Sequence, residues 1–133
     1  MPAKTEQTGF RTERKPDRLK QRAEFLRAAS KGRKAAIGGV VLQALPRNDQ
    51  LPARLGFTVT KKVGNAVIRN RTRRRLKEAA RLLLAERPVT GFDLVLIGRD
   101  NTRGRPFTDL MDDFRRALGK TGVPFAPNAE AGA

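Results

Sequence analysis

The chain of 133 residues contains no cysteine and no histidine, and each absence removes a class of chemistry. Without cysteine there is no disulfide and no thiolate to act as a nucleophile. Without histidine the chain lacks the commonest general base and the commonest metal ligand of proteins. A zinc site, a Ser-His-Asp triad and a cysteine nucleophile each need residues that are missing here, so all three are excluded.

Long apolar segments are missing as well. The first fifteen residues contain no apolar run, which argues against a secretory signal. No stretch approaches the roughly 18 consecutive apolar residues that a membrane span requires. These absences favour a soluble cytoplasmic protein, and the length favours one compact domain.

Positive charge is what the chain has in excess. It carries 29 Lys and Arg against 13 Asp and Glu, a formal net charge of +16. Residues 1–34 hold a net +7 and residues 61–81 a net +8, so two blocks hold 15 of the 16 net charges. An excess of this size attracts polyanions, of which nucleic acid and the anionic membrane surface are the usual two.

Hydrophobic periodicity predicts an α+β domain. Residues 17–30 are expected to form a helix with Asp17 as its N-cap. Ile37–Leu45 and Leu55–Thr60 are predicted strands, and the short polar loop between them suggests an antiparallel hairpin. Phe92–Gly98 is predicted as a third strand.

Two further helices are predicted in the second half of the chain. The longer runs from Asn65 to about Glu86, where the dipeptide Arg87-Pro88 ends it. The last helix is expected to have Thr108 as its N-cap and to reach about Gly119.

The flanking segments and one acidic cluster complete the interpretation. Residues 1–16 are predicted to be a disordered basic arm and residues 122–133 a loose tail, which leaves 17–121 as the folded domain. Asp109, Asp112 and Asp113 lie in the early turns of the last helix, where the interpretation is dipole complementation and solubility rather than a two-metal catalytic site.

The helix over residues 65–86 carries charge of almost one sign. Its predicted core-facing stripe is narrow and consists of Ile68, Thr72, Leu76, Ala79 and Leu83. Like charges stand four residues apart at four places on the remaining surface, and each pair costs about 0.2–0.5 kcal/mol. A face that is merely solvated normally alternates its signs, so this face is predicted to bind phosphates.

The residue types on and before this helix suit RNA. Lys61 and Lys62 precede a helix N-terminus, which is a good phosphate site. The amide of Asn70 can donate and accept toward a base or a 2′-hydroxyl, and arginine forks suit bidentate phosphate contact. The predicted RNA-binding residues are Lys61, Lys62, Asn65, Arg69, Asn70, Arg71, Arg73, Arg74, Arg75 and Lys77.

These residues carry a resemblance to a known family. The segment Arg54–Glu78, with Lys-Lys-Val-Gly-Asn-Ala-Val-Ile-Arg-Asn-Arg at residues 61–71, resembles the signature of the bacterial ribonuclease P protein component. The similarity covers about residues 17–121. It implies three helices on a four-stranded sheet in the order α-β-β-β-α-β-α. It also implies a left-handed crossover, as in the ribosomal protein S5 domain 2-like fold.

The resemblance also implies a function. Proteins of this family partner a catalytic RNA, and together they cut the 5′ leader from precursor tRNA. The RNA and substrate are expected to hold the Mg²⁺, so no catalytic residue or metal ligand is assigned to the protein. No further protein partner and no membrane are expected. The contacts implied for a leader cleft, between the first helix and one sheet face, are Lys20, Arg22, Phe25 and Thr58.

Two positions in this cleft depart from the family's pattern. Ala29 and Gln43 stand where the family often has aromatic residues, so a leader-sequence preference does not transfer from the family. Phe25 matches the family's stacking aromatic, and the alternative for it is an ordinary core residue. A stacked base contributes about 1–3 kcal/mol to binding.

Two other classes of function stay open from the residues alone. A ribosomal or assembly protein would have the same basic surface, and the RNA that copurifies distinguishes it. A membrane-surface or DNA-binding module fits less well. The basic helix lacks a large apolar face, and no short turn joins it to a second helix.

Overall fold

The computed structural model describes residues 17–124, and it contains three helices and a mixed sheet. The strands are β1 (Asp17–Arg18), β2 (Arg33–Ile37), β3 (Val40–Pro46), β4 (Arg54–Val59) and β5 (Phe92–Gly98). The helices are α1 (Arg22–Lys31), α2 (Ala66–Glu86) and α3 (Phe107–Lys120). A 3₁₀ turn, Lys61–Val63, precedes α2.

The strands lie in the order β1-β4-β5-β3-β2. β4 and β5 are parallel and are joined by α2, whereas β5 and β2 each pair with β3 in the antiparallel sense. β1 adds only two residues, parallel to β4, at one edge. The predicted architecture of three helices on four principal strands, in the order α-β-β-β-α-β-α, is therefore confirmed.

The predicted hairpin between residues 37–45 and 55–60 is wrong. β5 lies between β3 and β4 and pairs with both of them. The hairpin that does form joins β2 to β3 through Gly38-Gly39, inside the region predicted as a single strand. Gly38 has a φ of 55°, a conformation that glycine adopts without steric cost.

The first helix begins at Arg22, later than predicted, and Asp17 is not its N-cap. Asp17 lies in β1, where backbone pairing with β4 holds the chain extended. The helix is instead started by Gln21 and Glu24, because the Glu24 carboxylate accepts the backbone N–H of Gln21 at 3.1 Å.

The other two helices follow the prediction more closely. Asn65 caps α2, and its side-chain oxygen accepts the Ile68 N–H at 3.0 Å. Thr108, however, is not the cap of α3, which begins at Phe107 with Pro106 in the cap position. Proline at a helix start is favourable because its φ is already near the helical value.

The main core lies between one face of the sheet and helices α2 and α3. Its fully buried side chains include Leu42, Leu94, Leu96, Leu76, Leu83, Phe114 and Leu118. The predicted stripe of α2 faces this core, with only Ile68 partly exposed. α1 packs on the opposite face of the sheet, where Leu19, Ala28 and Val95 form a second, smaller cluster.

The packed region extends beyond residue 121, the predicted domain end. Val123 is 3% exposed and belongs to the main core, so the tail predicted over 122–133 begins with packed residues. The predicted arm, residues 1–16, and the rest of the tail, residues 125–133, lie outside the described residues.

Candidate nucleic-acid interface

Helix α2 presents most of its arginines to solvent without carboxylate partners. Arg71, Arg74 and Lys77 are exposed, and Arg69 is half-buried. Within residues 17–124, none of these four forms an ion pair. The structure thus keeps a long positive surface on one side of α2.

Three arginines of α2 do have partners within the protein. Arg73 donates to the side-chain oxygen of Asn70 at 2.8 Å, so two predicted RNA contacts hold each other in place. Arg81 pairs with Glu78 at 2.6 Å. This pair cancels part of the repulsion along the helix.

Arg75 points away from the positive surface of α2. Its guanidinium donates to three backbone carbonyl oxygens of the loop that follows β5, those of Thr102, Arg103 and Arg105. Arg75, which was predicted to contact RNA, therefore binds a loop of the protein itself. A helical wheel cannot show this role, because the loop lies far away along the chain.

The N-terminal end of α2 gathers further positive charge. Lys61 and Lys62 lie exposed in the 3₁₀ turn directly before the helix. The positive end of the helix dipole lies beside them, and together they favour an anion. The side-chain oxygen of Asn65, a predicted RNA contact, accepts the Ile68 N–H and so caps this helix.

A second surface lies between α1 and the outer face of the sheet. The ring of Phe25 lies directly over Gly56, where any Cβ atom would overlap it. Phe25 is half-buried and packs against the cluster of Leu19, Ala28 and Val95. Phe25 therefore contributes to the smaller core while part of its ring stays exposed, and its contact with a leader base stays a prediction.

Beyond Phe25 the floor of this surface is open. Thr58, Ile97, Val41 and Ala36 stand side by side across four strands, and none of them is fully buried. Thr58 lies on the face away from the main core, as predicted. We call this row with Phe25 the α1 cleft.

The other two predicted leader contacts, and the two positions that depart from the family's pattern, lie on α1 and on the sheet around this row. Lys20 and Arg22 are exposed at the start of α1, and Ala29 is half-buried. Gln43 is 7% exposed and lies next to Val95 in the sheet register. The α1 cleft therefore has a single aromatic side chain, with small and polar residues at the other two positions.

A buried carboxylate holds α1 against the sheet. Asp93 is 1% exposed and accepts hydrogen bonds from Arg54 at 2.8 and 2.9 Å and from Arg47 at 2.9 Å. Burial tends to raise the pKa of Asp93, but the hydrogen bonds from Arg54 and Arg47 outweigh it and lower the pKa. Arg54 also pairs with Glu24 of α1 at 2.7 Å, which fixes the helix that carries Phe25.

This network was missed by sequence reasoning. Its signal was present, because Asp93 interrupts the apolar run of β5, and a carboxylate within a buried strand needs a partner. The partners, Arg47 and Arg54, are 46 and 39 residues away along the chain and could not be identified from spacing.

The acidic cluster of α3 divides into two roles. Asp113 is 1% exposed, and it accepts the Gly39 N–H at 2.9 Å and pairs with Arg105. Burial tends to raise its pKa, but the bonds from Arg105 and Gly39 lower it. The interpretation of Asp113 as a solubility residue was wrong, because it joins α3 to the β2–β3 turn. Asp112 is exposed and pairs with Arg115.

Within residues 17–124, acidic side chains do not gather into any group of three that could hold a metal ion. No helix of this region is long and apolar enough to cross a membrane.

The fold and its surfaces define a class: a small basic α+β protein with a helix of exposed cations on one side of the sheet and a cleft on the other. Comparison with known proteins then identifies the family. Residues 14–122 match the family described as Ribonuclease P, so the chain belongs to the ribonuclease P protein family. The resemblance recognised in Arg54–Glu78 is confirmed.

Individual relatives agree with this membership. The ribonuclease P protein component of Gluconacetobacter diazotrophicus is 67% identical over 106 residues, covering 80% of this chain and 91% of the relative. That of Ruegeria pomeroyi is 50% identical over 109 residues, covering 80% and 86%. The structure of the Staphylococcus aureus RNase P protein matches with a TM-score of 0.69 at 26% identity, covering 84% of this chain and all of that one. The Thermotoga maritima protein matches with a TM-score of 0.65 at 26% identity, covering 79% and 94%.

Proposed function

We propose that this protein is the protein subunit of ribonuclease P and promotes removal of the 5′ leader from precursor tRNA. The observation that carries the proposal is the surface of α2. The chain belongs to the ribonuclease P protein family, and the exposed cations Arg71, Arg74 and Lys77 of α2 have no carboxylate partner among the described residues. A surface of this kind gains its electrostatic stabilisation from phosphates.

The catalytic RNA binds along α2 in this proposal. Arg69, Arg71, Arg73, Arg74 and Lys77 contact phosphates, and Lys61 and Lys62 extend the contact past the helix N-terminus. Asn70, held by its bond to Arg73, retains an amide that can donate to a base or ribose. Such an interface positions an RNA through its backbone and its shape.

The precursor leader occupies the α1 cleft. Phe25, half-buried over Gly56, offers the exposed part of its ring to a base. The row of Thr58, Ile97, Val41 and Ala36 provides a surface on which an extended strand can lie. Lys20 and Arg22 supply positive charge at the start of α1. With alanine and glutamine at positions 29 and 43, stacking in the cleft depends on Phe25 alone.

The cleavage chemistry belongs to the RNA, with Mg²⁺ held mainly by RNA and substrate phosphates. The inventory of the protein supports this division. Within residues 17–124 the buried carboxylates are Asp93 and Asp113. Asp93 accepts hydrogen bonds from Arg47 and Arg54, and Asp113 accepts them from Arg105 and from the Gly39 N–H. The same proposal places the holoenzyme in the cytoplasm and assigns it no further protein partner.

Reconstitution tests the proposal. Purified protein added to the catalytic RNA at low Mg²⁺ should restore cleavage of precursor tRNA at the 5′ end of the mature sequence. The matched control is the variant with Arg71, Arg74 and Lys77 changed to Gln, which should fold and stimulate poorly. Absence of stimulation by the natural protein would contradict the proposal.

Copurification separates this function from that of a ribosomal protein. RNA recovered with the protein from its cell should be the catalytic RNA and precursor tRNA. Recovery of ribosomal RNA in their place would support the assembly-protein alternative.

A further inference from the structure

The loop between β5 and α3, residues 99–106, is hydrogen-bonded to two neighbouring elements although much of it is exposed. Arg75 of α2 donates to three of its carbonyl oxygens. From inside the loop, Thr102 is fully buried, and its hydroxyl donates to the Gly39 carbonyl and accepts the Arg99 N–H, both at 2.6 Å. The loop is therefore fixed to α2 at one side and to the β2–β3 turn at the other.

This anchoring brings one exposed arginine to the N-terminal end of α2. A guanidinium nitrogen of Arg103 lies 3.4 Å from the carbonyl oxygen of Val63, in the turn that contains Lys61 and Lys62. Arg103 and both lysines are exposed, and none forms an ion pair within residues 17–124. Three cations from two distant segments thus meet beside one helix N-terminus.

The other charges of the loop do not compete for this position. Arg105 pairs with Asp113, and the guanidinium of Arg99 donates to the carbonyl oxygen of Gly38, on the other side of the loop. Arg103 is the cation of this loop that is both exposed and directed at the 3₁₀ turn. The three carbonyl oxygens that would repel a phosphate are covered by Arg75.

We propose that Arg103, Lys61 and Lys62 form a second phosphate-binding edge, and that Arg75 is the positioning residue that builds it. The occupant is the phosphodiester backbone of the catalytic RNA that lies along α2, so this inference rests on the proposed function. Arg75 contributes to RNA binding through the loop and not by contact. A lysine cannot replace it, because one ammonium does not match the fixed fork that reaches three carbonyls.

The test measures binding of the purified variants to the catalytic RNA over a range of salt concentrations. Arg103→Gln should weaken binding about threefold to tenfold and lower the salt slope by about 0.7–0.9, the value of one lost phosphate contact. Arg75→Gln should weaken binding by a similar factor. The double variant should be no weaker than Arg75→Gln alone, because both changes remove the same contact.

Arg74→Gln is the matched control, since it removes one charge from the same helix without touching the loop. It should weaken binding as well, and its effect should add to that of Arg103→Gln. Hydrogen exchange of the amides of residues 99–106 should accelerate in Arg75→Gln and stay unchanged in Arg74→Gln. Far-UV circular dichroism in sulfate verifies that each variant is folded.

Different failures have different meanings. Unchanged RNA binding by Arg103→Gln, with Arg74→Gln weakened, overturns the second edge and leaves the proposed function intact. Additive effects of Arg75→Gln and Arg103→Gln show that Arg75 contacts RNA itself, which overturns its positioning role. An Arg103→Gln defect seen only with precursor tRNA and not with the catalytic RNA overturns the assigned occupant. If none of the α2 variants weakens RNA binding, the proposed function fails too.

Discussion

Arginine serves opposite purposes in two regions of this protein. On α2, Arg69, Arg71 and Arg74 lie at the surface with no ion pair among the described residues. Beneath α1, Arg47 and Arg54 share the buried Asp93, and each has a further carboxylate partner. The comparison teaches that the partner, and not the residue type, decides whether an arginine stabilises the fold or remains available for RNA.

The two regions also differ in the free-energy cost of their charged side chains, which is desolvation beneath α1 and mutual repulsion on α2. The buried carboxylate of Asp93 is tolerable only because two guanidiniums compensate its desolvation. The exposed cations of α2 are solvated individually but repel one another at a spacing of four residues. Removing a charge should therefore destabilise the first region and slightly stabilise the second.

The largest effect is expected for Asp93→Asn. The change leaves Arg47 and Arg54 without their shared carboxylate and should lower the free energy of unfolding by about 3 kcal/mol. Urea denaturation at a fixed sulfate concentration measures it. The control Asp100→Asn, at an exposed position, should change stability by less than about 0.5 kcal/mol. Equal changes in the free energy of unfolding for the two variants would show that the buried carboxylate contributes no more to stability than an exposed one.

Acid should destabilise the buried network around Asp93 and the separate contact of Asp113, and leave the charges of α2 unchanged. The pKa values of Asp93, Asp113 and Glu24 are lowered in the folded protein, so these groups contribute stability above their unfolded pKa values, near 4. That stability is lost as the pH falls below about 4 toward the folded values. The arginines of α2 stay charged throughout this range. Urea midpoints measured between pH 7 and 3 should fall in acid, and less steeply for Asp93→Asn; a flat profile would contradict the assignment.

Removing counter-ions should destabilise α2 through the repulsion between its like charges. At low salt without a polyanion the protein should be partly unfolded, and sulfate or phosphate should fold it. A ligand at 100 times its dissociation constant stabilises by about 2.7 kcal/mol. Far-UV circular dichroism during a sulfate titration measures the helix content. Full helix content before any anion is added would show that the repulsion has no consequence for folding.

Phe25→Ala tests the cleft that the buried network supports. Loss of one stacked base should weaken binding of precursor tRNA to the holoenzyme by about tenfold, a value within the usual range for stacking. Binding of mature tRNA should not change, because it has no leader. Leu26→Ala is the control, since Leu26 is 53% exposed on the same helix. Equal losses for precursor and mature tRNA would assign Phe25 to the core alone.

Arg73→Ala should give the smallest change in stability and sharpen the comparison most. It removes two like-charge pairs, with Arg69 and Lys77, but also the exposed hydrogen bond to Asn70, so the free energy of unfolding should change by less than about 0.5 kcal/mol. It should nevertheless weaken binding of the catalytic RNA and lower the salt slope by about 0.7–0.9. A variant that loses stability and keeps its RNA affinity would place Arg73 with the structural arginines.

Prediction from sequence succeeded where the information is local. The ends of α2, the cap Asn65 and the strand β5 follow from periodicity and from capping residues within a few positions. Prediction failed where pairing is decided at long range. Alternation marks residues 55–60 as a strand but does not say that β5, after a helix of 21 residues, will be its neighbour.

The candidate site shows the same division. The helical wheel of α2 predicted its basic face, and the resemblance predicted Phe25 and Thr58 as leader contacts. The structure then showed that the ring of Phe25 lies over Gly56. The withdrawal of Arg75 into the loop and the burial of Asp113 were missed. Each depends on a carbonyl or guanidinium that only folding brings within hydrogen-bond distance.

The amino-acid sequence by itself determined the attraction to polyanions, the family, and the helix on which the charge lies, because composition and local periodicity are properties of the chain. Only the tertiary structure decided which arginines are consumed within the fold and which stay free for RNA. The physical reason is that an arginine's role depends on the carboxylates and carbonyls within a few ångströms of it. The fold brings those groups together from segments that are far apart in the chain.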